Sequence, residues 1–330
     1  MRPAPRALST RRTLCLRAPL AVGALLALAG GLAGCAMSPG TAVHHVTATP
    51  SATVVRALSS PTAAPGGAPG PAPRRYTTRV ILQQGHPDDL ALDAQGRLLV
   101  SDVEAGTISR VASDGTITLV LGGIAGPEGL VPLADGTLVF AEQRTNRVLL
   151  LTPGATQPGV LRALPGTPSA AACKDGVDGL GFDPSTGTII VPDSPTGVVY
   201  RLSLDGQSLA QVAAGIARPV GAASDGHGTL YVADECGGAV WRIPATGAPQ
   251  RIGGFDAPDD VAFDPQGNLL VTDLGQNTHA LIRLDLASGQ RETLAQTGLI
   301  EPQGLAVDAR GDIYLADESA QRIIEYMPAG

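Results

Sequence analysis

Residues 218–243 read RPVGAASDGHGTLYVADECGGAVWRI. A proline opens a short apolar run, and Asp225 begins a turn through Gly226 and Gly228. The β-prone stretch TLYVAD follows, then a turn at Gly237-Gly238, then AVWRI. Short runs of β-branched and aromatic residues between glycine turns read as antiparallel strands. Three strands of this size cannot bury their own faces, so the unit needs neighbours.

The neighbours are in the chain. Five further segments open alike: HPDDLALD from His86, GPEGLVPL from Gly126, GVDGLGFD from Gly176, APDDVAFD from Ala257 and EPQGLAVD from Glu301. Each continues through a glycine turn into a second strand that ends in an acid (GRLLVSD, GTLVFAE, GTIIVPD, GNLLVTD, GDIYLAD), and then into a third. The turn glycines 96, 136, 187, 228, 267 and 311 are spaced 40, 51, 41, 39 and 44 apart. Repeats of this length with several short strands predict a β-propeller. A fourth strand fits between consecutive units, as at Thr116–Leu121, Gln250–Gly253 and Glu292–Ala295, but only five such gaps exist. Thr77–Leu82 supplies the sixth. The expectation is an all-β, six-bladed propeller of four-stranded blades over 76–330, its last blade completed by the N-terminal strand.

Upstream of the ring the composition changes twice. Residues 1–34 hold five arginines and no acid, followed by an apolar run from Ala18 to Leu32. This is the layout of a signal peptide. It ends in Leu32-Ala33-Gly34-Cys35, which resembles a bacterial lipobox and implies lipidation of Cys35; an ordinary secretory peptide with an incidental cysteine is the other reading. The Thr10–Leu14 stretch partly matches a twin-arginine export motif. Of residues 36–75, 29 are Pro, Ala, Gly, Ser or Thr. So little bulky apolar surface makes 35–75 a flexible tether. The expected place is the extracytoplasmic side of a bacterial cell envelope, with membrane contact through the lipid alone. All 30 acids lie in 76–330 against 15 of the 23 basic residues, so the chain's formal −7 becomes −15 on the ring. That balance argues against nucleic-acid binding, which needs cations to neutralise phosphates.

Six internal copies separate what a blade requires from what it can vary. The acid ending the second strand (Asp102, Glu142, Asp193, Asp234, Asp273, Asp317) is in every copy and reads as a turn-builder. The residue near the start of the innermost strand varies: Asp88, Glu128, Asp178, Val220, Asp259, Gln303. Innermost strands ring the channel, so Asp88, Glu128, Asp178 and Asp259 should converge at one mouth. Like charges there raise one another's pKa or hold a cation, and oxygen-only ligands suit calcium or magnesium; a solvated acidic rim is the alternative. His86 and His279 belong to the same face and are candidate general bases. Cys173, in the longest inter-blade loop, and Cys236 should lie on the mouth face of adjacent blades. In an oxidising envelope they are expected to form a disulfide rather than stay two buried thiols.

The blade pattern P-x-G-L-A-x-D, G-x-L-Y-V-A-D, R-I resembles NHL-repeat propellers and the related gluconolactonase (senescence-marker) family. The likeness implies a calcium- or zinc-dependent lactone hydrolase whose metal is held at the channel mouth by a Glu, an Asn and an Asp. VDGLGFD resembles the stretch that carries the Asn but presents Asp178, and Val220 stands where the Asp is expected. Two functions follow: a lipid-anchored propeller binding a protein or small-molecule ligand at its acidic mouth, or a divalent-metal lactonase or esterase using His86 or His279.

Overall fold

The structure, a computed structural model, describes residues 75–329. The signal peptide, Cys35 and the tether therefore lie outside the described residues, apart from Arg75. Six four-stranded antiparallel sheets make up the described chain. Blade 1 comprises Pro87–Leu92, Leu98–Asp102, Thr107–Val111 and Ile117–Gly122, from channel to rim. Blade 2 comprises Pro127–Pro132, Leu138–Glu142, Arg147–Leu151 and Gly159–Ala163; blade 3, Gly181–Asp183, Thr188–Asp193, Val198–Ser203 and Leu209–Ala214. Blade 4 runs through Pro219–Ser224, Leu230–Asp234, Ala239–Ile243 and Gln250–Gly253, and blade 5 through Pro258–Phe263, Leu269–Asp273, Ala280–Leu284 and Arg291–Ala295. Blade 6 is assembled from both ends of the ring. Pro302–Val307, Ile313–Asp317 and Arg322–Pro328 are joined at the rim by Tyr76–Leu82. Arg79 sits opposite Glu325 and Thr78 opposite Tyr326 in that closing pair. Closure gives the terminal strands partners they would otherwise lack.

The apolar side chains explain why blades stack. Six hydrophobic clusters are present, and each is shared by two adjacent blades. Between blades 2 and 3, Val139 and Val148 meet Ile189 and Leu202; between blades 4 and 5, Val232's neighbour Tyr231 packs with Leu269 and Val271. Second strands are covered on both faces, which is why LLVSD, LVFAE and LYVAD read as nearly continuous apolar runs. The outer strands face water, and Leu119, Val160 and Val80 are exposed there.

The first-strand acids do what a turn needs. Asp93, Asp225, Asp264 and Asp308 each accept two backbone N–H groups within four residues. The second-strand acids do more than cap a turn. Asp102 accepts from Ala105 N in the following turn, and also from His86 N in the loop that enters the same blade. Asp234 accepts from Arg218 N, Asp273 from Asp256 and Ala257, Asp317 from Ile300 and Glu301, Glu142 from Ala125. These carboxylates pin the entry segment of every innermost strand that carries such a bond, and so position the mouth.

Candidate functional site at the channel mouth

Just past each pinned entry, strand pairing slips. The register shifts between Pro87 and Leu90, Glu128 and Leu130, Pro219 and Ala222, Pro258 and Val261, and Pro302 and Leu305. A bulge of this kind bends the strand and re-aims side chains. In blades 1 and 5 two successive residues, Asp88-Asp89 and Asp259-Asp260, line the channel, where a regular strand would turn one inward.

The first of the two positions carries the carboxylates. Asp88, Glu128 and Asp178, from three consecutive blades, each place one oxygen within 4.8 Å of the others'. All three are buried, Glu128 completely. Asp259 is also buried and lines a small void with Asp88 and Asp178, but it stands outside the three-carboxylate group. That void measures about 10 Å³, the space of a single water-sized species. Neither His86 nor His279 belongs to the group. The His86 ring lies 3.3 Å from the Gln321 amide, and His279 holds a left-handed backbone (φ 39°) in the loop after Asp273.

Further side chains reach this face from the position directly after the second-strand acid. There blades 2, 4 and 6 carry Gln143, Glu235 and Glu318, all buried. Gln143 Nε2 donates to Asp178 Oδ2 at 3.3 Å, and Gln303 Nε2 donates to Glu318 at 2.9 Å. Arg218, at the entry to blade 4, brings a cation: its guanidinium donates to Asp178 Oδ2 at 2.9 Å, pairs with Glu235, and reaches Asp175 at 3.4 Å. Among the described residues, six carboxylates are buried at this face (Asp88, Glu128, Asp178, Glu235, Asp259, Glu318), and the buried guanidinium of Arg218 meets two of them, Asp178 and Glu235. Desolvated like charges gathered in this way favour proton uptake or the binding of a cation. A hard, oxygen-ligated divalent ion fits the donor set, because every donor of the group is a carboxylate and none is sulfur or imidazole.

The second inward position seals the channel. Four blades place glycine there, and a Cβ would collide with the next blade: 2.7 Å from Gly221 Cα at Gly179, 2.5 Å from the Asp88 carbonyl at Gly304. Blades 1 and 5 instead carry Asp89 and Asp260. Each reaches across to its neighbour, Asp89 Oδ2 accepting Leu130 N at 2.6 Å and Asp260 Oδ2 accepting Leu305 N at 2.8 Å. The backbone N–H of each is taken by a hydroxyl one strand out, Ser101 and Thr272, both at 2.9 Å. Burial deep in the ring pushes both carboxyls up, and their mutual charge adds to it for Asp89; Leu305 and Val261 N–H groups oppose it at Asp260, whose pKa stands at about 7.

One loop overhangs this face. Asn146, in a left-handed turn (φ 51°), holds both its ends by donating to the Gly166 carbonyl and accepting Val177 N. Asp193 accepts Gly166 N at 3.1 Å. Further along, Cys173 is disulfide-bonded to Cys236 of blade 4, and the Cα atoms are 6.2 Å apart. The bond and the Arg218–Asp175 contact hold the loop beside the carboxylates.

Sequence reasoning singled out the three grouped acids but not Arg218, Gln143, Glu235, Glu318, Asp89 or Asp260. The signal for the last two was in the repeat. Asp-Asp replaces x-Gly only in the two blades whose second strand carries a hydroxyl (LLVSD, LLVTD) where the other four have Ala or Pro.

No family model matches the chain, and no curated protein does. Many solved structures share the fold. A gluconolactonase from Xanthomonas campestris is 20% identical with a TM-score of 0.63, over 78% of this chain and 91% of that one. Virginiamycin B lyase from Staphylococcus aureus is 16% identical with a TM-score of 0.60, over 77% and 99%. An auxiliary nutrient binding protein from Bacteroides ovatus is 11% identical with a TM-score of 0.62, over 78% of each chain. At these identities the likeness establishes the six-bladed propeller shared with gluconolactonase-like proteins, and a fold of this kind hosts many activities.

Proposed function

We propose that the chain is a binding propeller, displayed outside a bacterial membrane by lipidated Cys35 and the 35–75 tether, whose mouth takes a divalent cation and through it an oxygen-rich ligand. The carrying observation is the group of Asp88, Glu128 and Asp178, three buried carboxylates within 4.8 Å of one another. These residues would hold calcium or magnesium, with Asp259 on the same void. Arg218 and Gln143 orient Asp178. Hydrolysis of a lactone or ester is the second reading, favoured by the same acids and by the fold shared with a gluconolactonase. A bound divalent ion would supply carbonyl polarisation and an acidified water. That reading also needs a proton acceptor beside the group, and His86 and His279 lie outside it.

The test is thermal unfolding of the metal-free mature chain titrated with calcium, magnesium and zinc. A cation bound only by the native ring raises the midpoint by mass action. The expected result is a rise with calcium or magnesium that Glu128→Gln removes. No rise with any ion ends the cation reading. Turnover of aldonolactones that Glu128→Gln abolishes moves the assignment to a hydrolase. For the anchor, Cys35→Ala should release the protein from the membrane fraction; retention there refutes lipidation.

A further inference from the structure

A cavity far larger than the mouth void, about 530 Å³, opens where blade 6 meets blade 1. It is lined by the turns at Gly96 and Ser113–Thr116. Strands alternate in direction, so these turns lie on the face opposite the carboxylate mouth. Its floor is apolar, with Ile81, Leu98 and Val111 all buried. A volume of this size, with an apolar floor and polar and charged groups around it, is that of a small-molecule site.

The polar groups carry a surplus charge whose origin is visible from the other blades. In blades 3 and 5 the third-strand arginine closes on the first-strand acid: Arg201 pairs with Asp183, and Arg283 Nε lies 3.1 Å from Asp264. In blade 1 the corresponding acid, Asp93, is occupied by Arg97, whose Nε donates to Asp93 Oδ2 at 2.7 Å. Blades 2, 3 and 4 have Thr137, Thr188 and Thr229 at the place of Arg97. Arg110 holds its Nε 3.6 Å from Asp93, within ion-pair reach but beyond hydrogen-bond range. That Nε is buried and has no hydrogen-bond partner among the described residues. Across the cavity, Glu325 is already engaged by Arg79 at 2.9 Å. Arg97, Arg110 and Asp93 therefore leave one positive charge over, on an apolar floor.

We propose that this cavity binds a small carboxylic acid with an apolar body, its carboxylate taken by Arg110 beside Arg97 and its body by Ile81, Leu98 and Val111. One surplus charge matches a monoanion; a phosphate dianion would exceed it, with Glu325 in the same lining. A guanidinium presents paired N–H donors in the geometry a carboxylate accepts. The site is independent of any cation at the mouth.

The experiment is calorimetric titration of the full-length mature chain with octanoate, and with 1-octanol and octylamine as probes of matched body. Octanoate is expected to bind, with octanol and octylamine at least about tenfold weaker. Arg110→Gln should weaken octanoate by about tenfold or more. Arg97→Thr, which installs the residue of three sister blades, should do the same by releasing Asp93 to Arg110, and it keeps the test valid if Arg110→Gln fails to fold. Three results overturn the proposal: no octanoate binding up to about 10 mM, octanol binding as tightly as octanoate, or a folded Arg97→Thr variant that retains wild-type affinity.

Discussion

Asp260, in blade 5, accepts a hydrogen bond from Leu305 N, in blade 6, at 2.8 Å, so a carboxylate that faces the channel also fastens two blades together. Burial raises this carboxyl first, the two backbone N–H groups lower it, Asp178 raises it again, and the pKa stands at about 7. A folded-state pKa above the unfolded value means a contribution that is complete below about pH 4 and lost as pH rises through 7. With chelator present, the wild-type midpoint should fall between pH 5 and pH 8. Asp260→Asn keeps an acceptor for Leu305 and should flatten that fall, with the larger gain at pH 8. A parallel pH dependence in the variant would show that Asp260 does not titrate in this range.

Asp183 shows the opposite sign. Burial would raise it, but Arg201, the hydroxyls of Ser185 and Ser224, and Ser185 N hold it down at about 2. Its contribution is present above the unfolded value near 4 and disappears as pH falls toward 2. Asp183→Asn should cost about 2 kcal/mol at pH 7 in urea denaturation, and almost nothing at pH 2. An equal cost at both values would assign the loss to packing.

Among the described residues, Arg218 is the buried cation beside the mouth carboxylates, in contact with Asp178 and Glu235. Arg218→Met removes it while filling similar volume, and should destabilise the metal-free ring by about 3–5 kcal/mol. The same change should enlarge the midpoint rise on adding calcium, since the ion then supplies the missing charge. A variant with undiminished stability and unchanged calcium response would remove Arg218 from the electrostatics of the mouth.

The Cys173–Cys236 bond closes 63 residues of chain. The double change to alanine should cost about 3 kcal/mol in chemical denaturation, chiefly by loosening the unfolded chain's constraint. Limited proteolysis should then cut first between residues 164 and 176. Thiol titration of the unreduced ring settles the pairing directly, because two reactive thiols there would exclude the bond.

The repeat carried most of the fold. Proline entries, glycine turns and strand-ending acids recur at intervals that admit only a ring of six, and the surplus strand at Thr77–Leu82 announced the closure seen in the pairing of Arg79 with Glu325. The candidate site was legible where blades differ at one position: Asp88, Glu128 and Asp178, which the fold groups, stand out against Val220. Asp89 and Asp260 escaped because a regular strand would point them away from Asp88 and Asp259. The bulges at the entries of blades 1 and 5 turn both residues inward, and the hydroxyls of Ser101 and Thr272 become meaningful once they are seen.

Local periodicity, then, decided the number of blades, their strands and the closing pair, because those depend on residues within one repeat and on counting repeats. It also placed an excess of acid on the ring. Which charges meet was decided between repeats. Arg218 reaches Asp178 across a blade boundary, and Asp89 and Asp260 bond the backbone of the next blade at Leu130 and Leu305. Such pairings depend on how closely neighbouring sheets approach and where a bulge aims a side chain, and these are properties of the packed ring that no single repeat contains.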